Sequence, residues 1–578
     1  MSRKTKGISI ALFLAISSLF FVKVFTGDYG THLAIGRQIL ESRSIPGVEF
    51  LNYPTSGAPH GYTEWLFQAL LYGIFLAGGT AGISVFCWVV ASATIYFLFR
   101  AALVRGAHPF LALLALFAFA GLLRIRLQPR PEICAYLLLS IVMYILSEYY
   151  FGTRKMAIWI FPPLIVLWAN LHPSFLLAFV AAAAFFVDAL AAAILKREWG
   201  WAQVRTWVFP PLGSGILAFL ASGINPYGFS TFLSPVGLAR SQELALSITE
   251  MAPVRDTAFF PVFLGAAALG GAAILVGVWT RSFRLLDLLL LAFSVKASYS
   301  SARGIALPAV LLVSGVAAQG TAIVDRILRG RTKDTGGVTW AMERAGAVLL
   351  AVGALTLGVA SARVSFAGVE YGAGMTTHKY SFAAVRFLRE NVPPGNMFNF
   401  FDLGGFLDWQ LHPVKKTFID GRGAPAGVYM DYNMVVAGFD GWDRILDRYG
   451  ADLIVTRAVD STGMVLPLID RLLEDRRWAL VFSDGLALVF LKDTPGNASI
   501  IRRYEVSKAR IYEEIVEEAR HELELGAPKV ATYVSMGNAY ASLGKYRKAV
   551  RAFRTALESG ENDYARRAVA MLEPMVEK

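Results

Sequence analysis

The chain has 578 residues, of which 55% are hydrophobic and 17% charged. Soluble domains carry about 25% charged residues, so this composition excludes a purely soluble enzyme, a disordered chain and a disulfide-stapled secreted domain. The net charge of +12, taken alone, would suit a nucleic-acid partner; where the basic residues sit decides that question. The two cysteines, Cys87 and Cys134, lie inside long apolar runs and read as core thiols rather than a disulfide or metal pair.

A helix that spans a bilayer needs about 20 mostly apolar residues. Such runs fall at 7–25, 81–103, 109–123, 131–150, 156–171, 173–195, 207–223, 259–280, 283–300, 304–325 and 345–361. The first follows Ser2-Arg3-Lys4-Thr5-Lys6, and no small-residue cleavage site comes after it, so an uncleaved signal-anchor is expected. A further run, 62–79, is ambiguous.

Lysine and arginine near span ends favour the cytoplasm. The basic N-terminus is then inside and residues 26–61 are outside. If 62–79 crosses, the loops with Arg100/Arg105, Arg154/Lys155, Lys196/Arg197/Arg205 and Arg281/Arg284 all face out. If 62–79 lies along the outer interface, those loops face in, together with Arg326, Arg329, Arg331, Lys333 and Arg344. The charge rule selects the second arrangement. The expected fold is therefore mainly α: a polytopic α-helical membrane domain over 1–361, with about 11 spans plus an interfacial helix. The N-terminus is cytoplasmic and everything after residue 361 is extracytoplasmic. Most basic residues of the membrane domain then act as orientation signals, and no nucleic-acid partner is expected.

This arrangement gathers the polar residues that look chemical on the outer side: Asp28, His32, Glu64, Arg124, Arg126, Arg130, His172, Asn225, Glu250, Arg255, Asp256 and Arg303. Polar groups collected on one face of a bundle suggest a site. Arg124-Ile-Arg-Leu-Gln-Pro-Arg130 places three cations beside a span. Anionic lipid head groups account for them in one reading; a phosphate ligand, whose oxygens match the guanidinium fork, is the sharper one. Arg303 carries the same two readings.

Asp28 comes where the first span leaves the membrane. It reads either as a general base or metal ligand, or as the N-cap of a helix starting near Tyr29. In a helix, His32 shares its face. Glu64, next to Trp65, is favoured near a helix start by the dipole, yet it also pairs with Asp28 as a second isolated acid flanking the same loop. Two such carboxylates suit glycosyl transfer or metal-assisted phosphate chemistry; a divalent metal is the one cofactor they leave open. Trp168-Ala-Asn-Leu-His172-Pro173 and Asn225-Pro-Tyr-Gly228 end two spans, and both read equally as span terminators. Gly265, Gly270, Gly271 and Gly277 read as small-residue helix packing. Asp188, Asp287 and Lys296 are the main mid-span charges.

Residues 362–377 read as a linker, and 378–495 as an α/β domain. Its helices are expected at 381–389, 441–449 and 465–475, and its strands at 397–401, 416–419, 452–455 and 486–491. Asp484-Gly485 reads as a hairpin turn. Asp402 and Asp420 follow strands, where turns and ligand sites both favour acids. In the helical tail, 504–578, residues 530–563 match the tetratricopeptide pattern of about 34 residues through Tyr533, Gly537, Tyr540, Gly544, Tyr546, Ala549, Phe553 and Ala556. Such a repeat caps a fold or docks a protein partner.

Taken in order, Asp28 with His32-Leu33 and Gly36, Glu64-Trp65-Leu66, Arg130-Pro131-Glu132, Trp168-Ala-Asn-Leu-His172, Asn225-Pro-Tyr-Gly228 and Phe418-Ile-Asp-Gly-Arg422 resemble the bacterial polytopic membrane glycosyltransferases of the GT-C superfamily, which includes protein mannosyltransferases and aminoarabinose transferases. The resemblance covers about residues 7–495. It implies a polyprenyl-phosphate sugar donor, a lipid-linked glycan or protein acceptor, Asp28 as the base and Glu64 as the second acid. Thr31 stands where branches of that family often carry Trp. A flippase for a polyprenyl-linked glycan would use the same cationic face without chemistry; a membrane-anchored scaffold using the repeat would leave the outer acids free to change.

Overall fold

The computed structural model describes residues 3–195, 205–232, 252–329, 337–366, 369–376, 379–526 and 529–576. Lys196, Arg197, Glu250, Arg331 and Lys333 lie outside the described residues. The chain forms two compact units: residues 1–24 with 62–374, and residues 25–61 with 375–578.

The first unit is helical. Among the described residues, six helices are long and apolar enough to cross a membrane: Trp65–Val104, Pro109–Arg126, Glu132–Tyr150, Pro173–Leu195, Phe260–Thr280 and Ala302–Leu328. Shorter apolar helices are Lys6–Ser18, Lys155–Leu171 and Leu350–Arg363. The 40-residue helix Trp65–Val104 breaks at Gly79, with φ 59° and ψ −151°, a backbone that only glycine enters readily. The break divides it where the sequence divides 62–79 from 81–103. At about 1.5 Å per residue, the piece 65–78 falls short of a hydrocarbon core of about 30 Å, and 80–104 exceeds it. The first helix stops at Ser18 rather than running to 25. Val22 instead bridges to Tyr371, Lys23 pairs with Glu370 at 2.6 Å, and Val24 N–H donates to the Gly374 carbonyl. Residues 370–374 of the expected linker are thus tied down along residues 22–24.

Helix packing explains the mid-span acids. Arg105 Nη2 donates to Asp287 at 2.6 Å, and Gln319 donates to the other carboxylate oxygen. Asp188 accepts from the Leu286 backbone N–H and lies 3.7 Å from Arg284. Of the four packing glycines, an added Cβ would press Leu357 at Gly265, Leu291 at Gly270 and Gln319 at Gly277; Gly271 faces open space.

The second unit holds a four-stranded sheet of order β1-β2-β4-β3, with β1 Asn396–Asn399, β2 Ala451–Thr456, β3 Trp478–Ser483 and β4 Leu488–Lys492. β1 and β2 are parallel; β4 is antiparallel to β2 and β3. Alternation puts Met397, Leu453, Val455, Val489 and Leu491 in one core and Phe398, Ile454, Leu480, Leu488 and Phe490 in the other. The segment 416–419, expected as a strand, is not one. Its single ladder contact is the bridge from Thr417 to Asn52, because residues 418–420 turn back along the Asn399 side chain, which bonds Phe418 N–H and the Ile419 carbonyl. Ser381 caps the helix Phe382–Asn391 through Ala384 N–H. In the tail, Lys529–Ser542 and Tyr546–Ser559 pack where Gly537 meets the Phe553 ring, and a Cβ there would come within 2.6 Å. Arg510–Glu524 and Asp563–Val576 flank them.

Candidate functional site

In the helical unit, the motifs separated in sequence are joined by hydrogen bonds. Glu64 stands just before the helix that begins at Trp65, and it makes no capping bond. Its carboxylate lies 3.6 Å from His172 Nε2. Trp65 Nε1 donates to Asn170 Oδ1 at 3.1 Å, and Asn170 Nδ2 donates to the Ile224 carbonyl at 2.8 Å. The Tyr227 hydroxyl accepts from Tyr62 N–H at 2.7 Å. His172 Nδ1 meets the Ser174 hydroxyl at 2.7 Å, which fixes the ring and leaves Nε2 toward Glu64.

Glu132 opens the helix Glu132–Tyr150 and accepts a hydrogen bond from Arg126 Nη2. Arg130, Arg303 and His172 also act on its charge. Arg303 lies in the short helix Ala302–Ala306, whose carbonyl at Arg303 accepts from Tyr136. Burial, together with Arg303 and Arg126, holds the His172 imidazole below its ordinary pKa against the opposing pull of Glu132, so the ring is neutral at pH 7. Three of the four candidate phosphate arginines thus gather around Glu132 and His172.

Arg124 does not join them. It is among the most deeply buried side chains and interacts with Tyr371 and Cys87. Residues two apart on a helix point to different sides, so Arg124 and Arg126 diverge. Asn225 serves its own turn: its amide donates to the Ser222 and Gly228 carbonyls and accepts from Tyr227 N–H. Arg255 and Asp256 are exposed and lie 3.6 Å apart. Glu132, Asn170 and Tyr227 were missed as individual site residues. Their signal was weak: an acid directly after Arg-Pro at a span start, and polar residues inside motifs that also serve as helix stops.

In the second unit, Asp28 begins the helix Asp28–Ser42. Gly27, not Asp28, occupies the cap position, and no side chain caps the helix. The capping reading of Asp28 is therefore corrected: the carboxylate sits in the first turn, where the dipole favours negative charge. It rests over the backbone of Gly421. His32 follows one turn on and is buried. Thr31 donates to Asp408 at 2.9 Å, and Gly30 meets the Gly405 carbonyl backbone to backbone. The Gly404-Gly405 pair after Asp402 is thus a close-packing point for this helix.

Residues 47–61 fold onto the same domain through Arg422. Its guanidinium donates to Glu49, Asn52 and Asp420. Burial works against charge on Glu49 and Asp420, yet Arg422 holds both below the ordinary carboxylate range. Burial and the charge of Asp420 push Asp408 well above it. Asp420 is therefore a clamp inside the domain. Among the described residues, no group of three or more His, Cys, Asp or Glu side chains is placed to hold a metal ion, and no step is assigned to one.

No family model matches the sequence, and no curated protein matches it. Solved structures do match by shape. The archaeal oligosaccharyltransferase AglB from Archaeoglobus fulgidus, in complex with an inhibitory peptide and a dolichol-phosphate, superposes with a TM-score of 0.59 at 12% identity, over 94% of this chain and 87% of its own. The arabinofuranosyltransferase AftD from Mycobacteria superposes with a TM-score of 0.51 at 14% identity. The match covers 85% of this chain and 42% of AftD, so the chain spans less than half of that protein. By fold, then, this chain is similar to solved structures of an oligosaccharyltransferase and an arabinofuranosyltransferase.

Proposed function

We propose that the chain is a glycosyltransferase that moves a sugar from a polyprenyl-phosphate donor to a lipid-linked glycan or protein acceptor, at the outer face of a bacterial cytoplasmic membrane. The observation that supports this most is the gathering of Arg126, Arg130 and Arg303 about Glu132 and His172 at the ends of apolar helices. A leaving lipid phosphate develops charge where water is scarce, and guanidinium groups fixed in advance stabilise it. Glu132 and Glu64 offset part of the mutual repulsion of these arginines before a donor arrives.

Asp28 takes the proton of the acceptor hydroxyl as the new C–O bond forms and the bond from sugar to phosphate breaks. Glu64 is the second acid, steered by His172. His32 supports Asp28 from one turn along. Arg124 and Asn225 are given structural parts. The tetratricopeptide-like tail recruits a protein partner or the acceptor. The dolichol-phosphate and peptide held by the archaeal neighbour support a lipid-phosphate donor by likeness of fold. A flippase needs polar groups available within the membrane, and the pairing of Asp188 with Arg284 and of Asp287 with Arg105 speaks for the enzyme.

The test is complementation of a strain lacking the chain with Asp28→Asn or Glu64→Gln. Loss of a glycan or glycoprotein that the wild type restores is expected, with a drop on the order of 100-fold or more for Asp28→Asn. Normal glycan profiles from stably inserted variants would overturn the reading.

A further inference from the structure

Gly421 is not required by its own backbone, since its φ is not positive. What an added methyl group would meet is Asp28. A Cβ on Gly421 would lie 2.3 Å from Asp28 Oδ1 and 2.9 Å from its Cγ. The turn itself cannot retreat. Asp420 is fully buried and accepts from both the backbone N–H and the guanidinium of Arg422, whose outer nitrogens hold Glu49.

We infer that Gly421 is a positioning residue for Asp28: the absent side chain leaves the seat in which the carboxylate rests, and the Arg422 clamp fixes where that seat lies. The inference rests on Asp28 acting as the base. The physical consequence of a methyl group here is unusual for a buried glycine. The atom it strikes is the far end of a side chain, so the fold gives way cheaply while the carboxylate is displaced. A displacement of about 1 Å in a reacting group lowers rate by about 100-fold. The extracytoplasmic domain thereby sets the geometry of the base directly.

The experiment uses the full chain in lipid vesicles, with detergent-solubilised membranes of a strain lacking the chain as the source of donor and acceptor. Rates are measured against the amount of that material for wild type, Asp28→Asn, Gly421→Ala and Gly427→Ala. Gly427 is the control, because an added Cβ there meets nothing within 4 Å. The expected result is an inactive Asp28→Asn and an unaltered Gly427→Ala. Gly421→Ala should lose maximal rate on the order of 10- to 100-fold, with half-saturation and melting temperature unchanged. Full rate in Gly421→Ala beside an inactive Asp28→Asn overturns the inference and leaves Asp28 as the base. A Gly421→Ala variant that loses rate, half-saturation and melting temperature together has only a structural defect, which also overturns it. An active Asp28→Asn removes the reading and the inference with it.

Discussion

Arg422 donates to both carboxylate oxygens of Glu49, at 2.8 and 3.2 Å, although 373 residues separate them. This pair, with Asp420 on the other edge of the guanidinium, fastens residues 47–61 to the C-terminal domain. Arg422→Gln leaves two buried carboxylates without their cation and should destabilise the domain by about 3–5 kcal/mol. Arg422→Lys keeps the charge and loses the fork, so it should fall between. Thermal unfolding of the detergent-solubilised chain, read alongside protease cleavage within 25–61, measures this. Wild-type stability in Arg422→Gln would remove the clamp from the account.

Gly30→Ala should behave unlike Gly421→Ala. Its Cβ would lie 2.1 Å from the Gly405 carbonyl oxygen, which is backbone and cannot swing aside. The helix Asp28–Ser42 and the helix Gly404–Leu411 must part, at about 1–3 kcal/mol. The expected outcome is a clear fall in melting temperature, whatever happens to activity.

The pH dependence of stability isolates Asp408. Its folded pKa is raised well above 3.8 by burial and by Asp420. The folded state therefore holds this proton more tightly than the unfolded chain. The contribution is fully present below about pH 4 and is lost as pH rises through the folded value. Glu49 and Asp420 are shifted the other way, so their contribution is present above the ordinary range and lost in acid. Asp408→Asn removes only the first effect. Its melting temperature should decline less than that of the wild type between pH 4 and pH 8. Parallel curves would show that Asp408 is already ionised in the fold.

Asn170→Leu removes the link between Trp65 and Ile224. Leaving a part-buried indole N–H and a carbonyl unmatched costs about 1–3 kcal/mol each. Trp65 fluorescence should shift as the ring loses its partner, and the Glu64 segment should exchange amide hydrogens faster. An unaltered exchange pattern would mean that Asn170 does not hold this segment.

Reporter fusions decide the orientation. An interfacial 65–78 puts residue 80 outside and residue 104 inside. The reverse result would turn every later loop over.

Composition and local pattern by themselves pointed to the apolar stretches, the division near residue 79, the strands β1, β2 and β4 with the Asp484-Gly485 turn, and the paired helices of the tail, but did not mark β3 as a strand. These depend on runs, periodicity and turn residues that lie close together in the chain. The order of the short polar motifs was also legible, because each ends or begins a helix. What only the tertiary structure decided was which of those motifs touch. Arg126 and Arg124 are indistinguishable in sequence, yet the helix turns one toward Glu132 and the other toward Tyr371 and Cys87. Asn225 and Asn170 stand at the ends of similar apolar helices, yet one amide closes its own turn and the other bridges two segments. The segment 416–419 has a strand's composition, yet it runs along the Asn399 side chain into residues 420–422, where Gly421 meets Asp28 and Arg422 holds Glu49. The physical reason is the same in each case: a side chain's partner is set by residues tens or hundreds of positions away, and no local period records them. The low charge density that excluded a soluble protein at the outset marked the few acids and arginines worth attention, and folding sorted them into the Arg422 clamp of one unit and the Glu132–His172 cluster of the other.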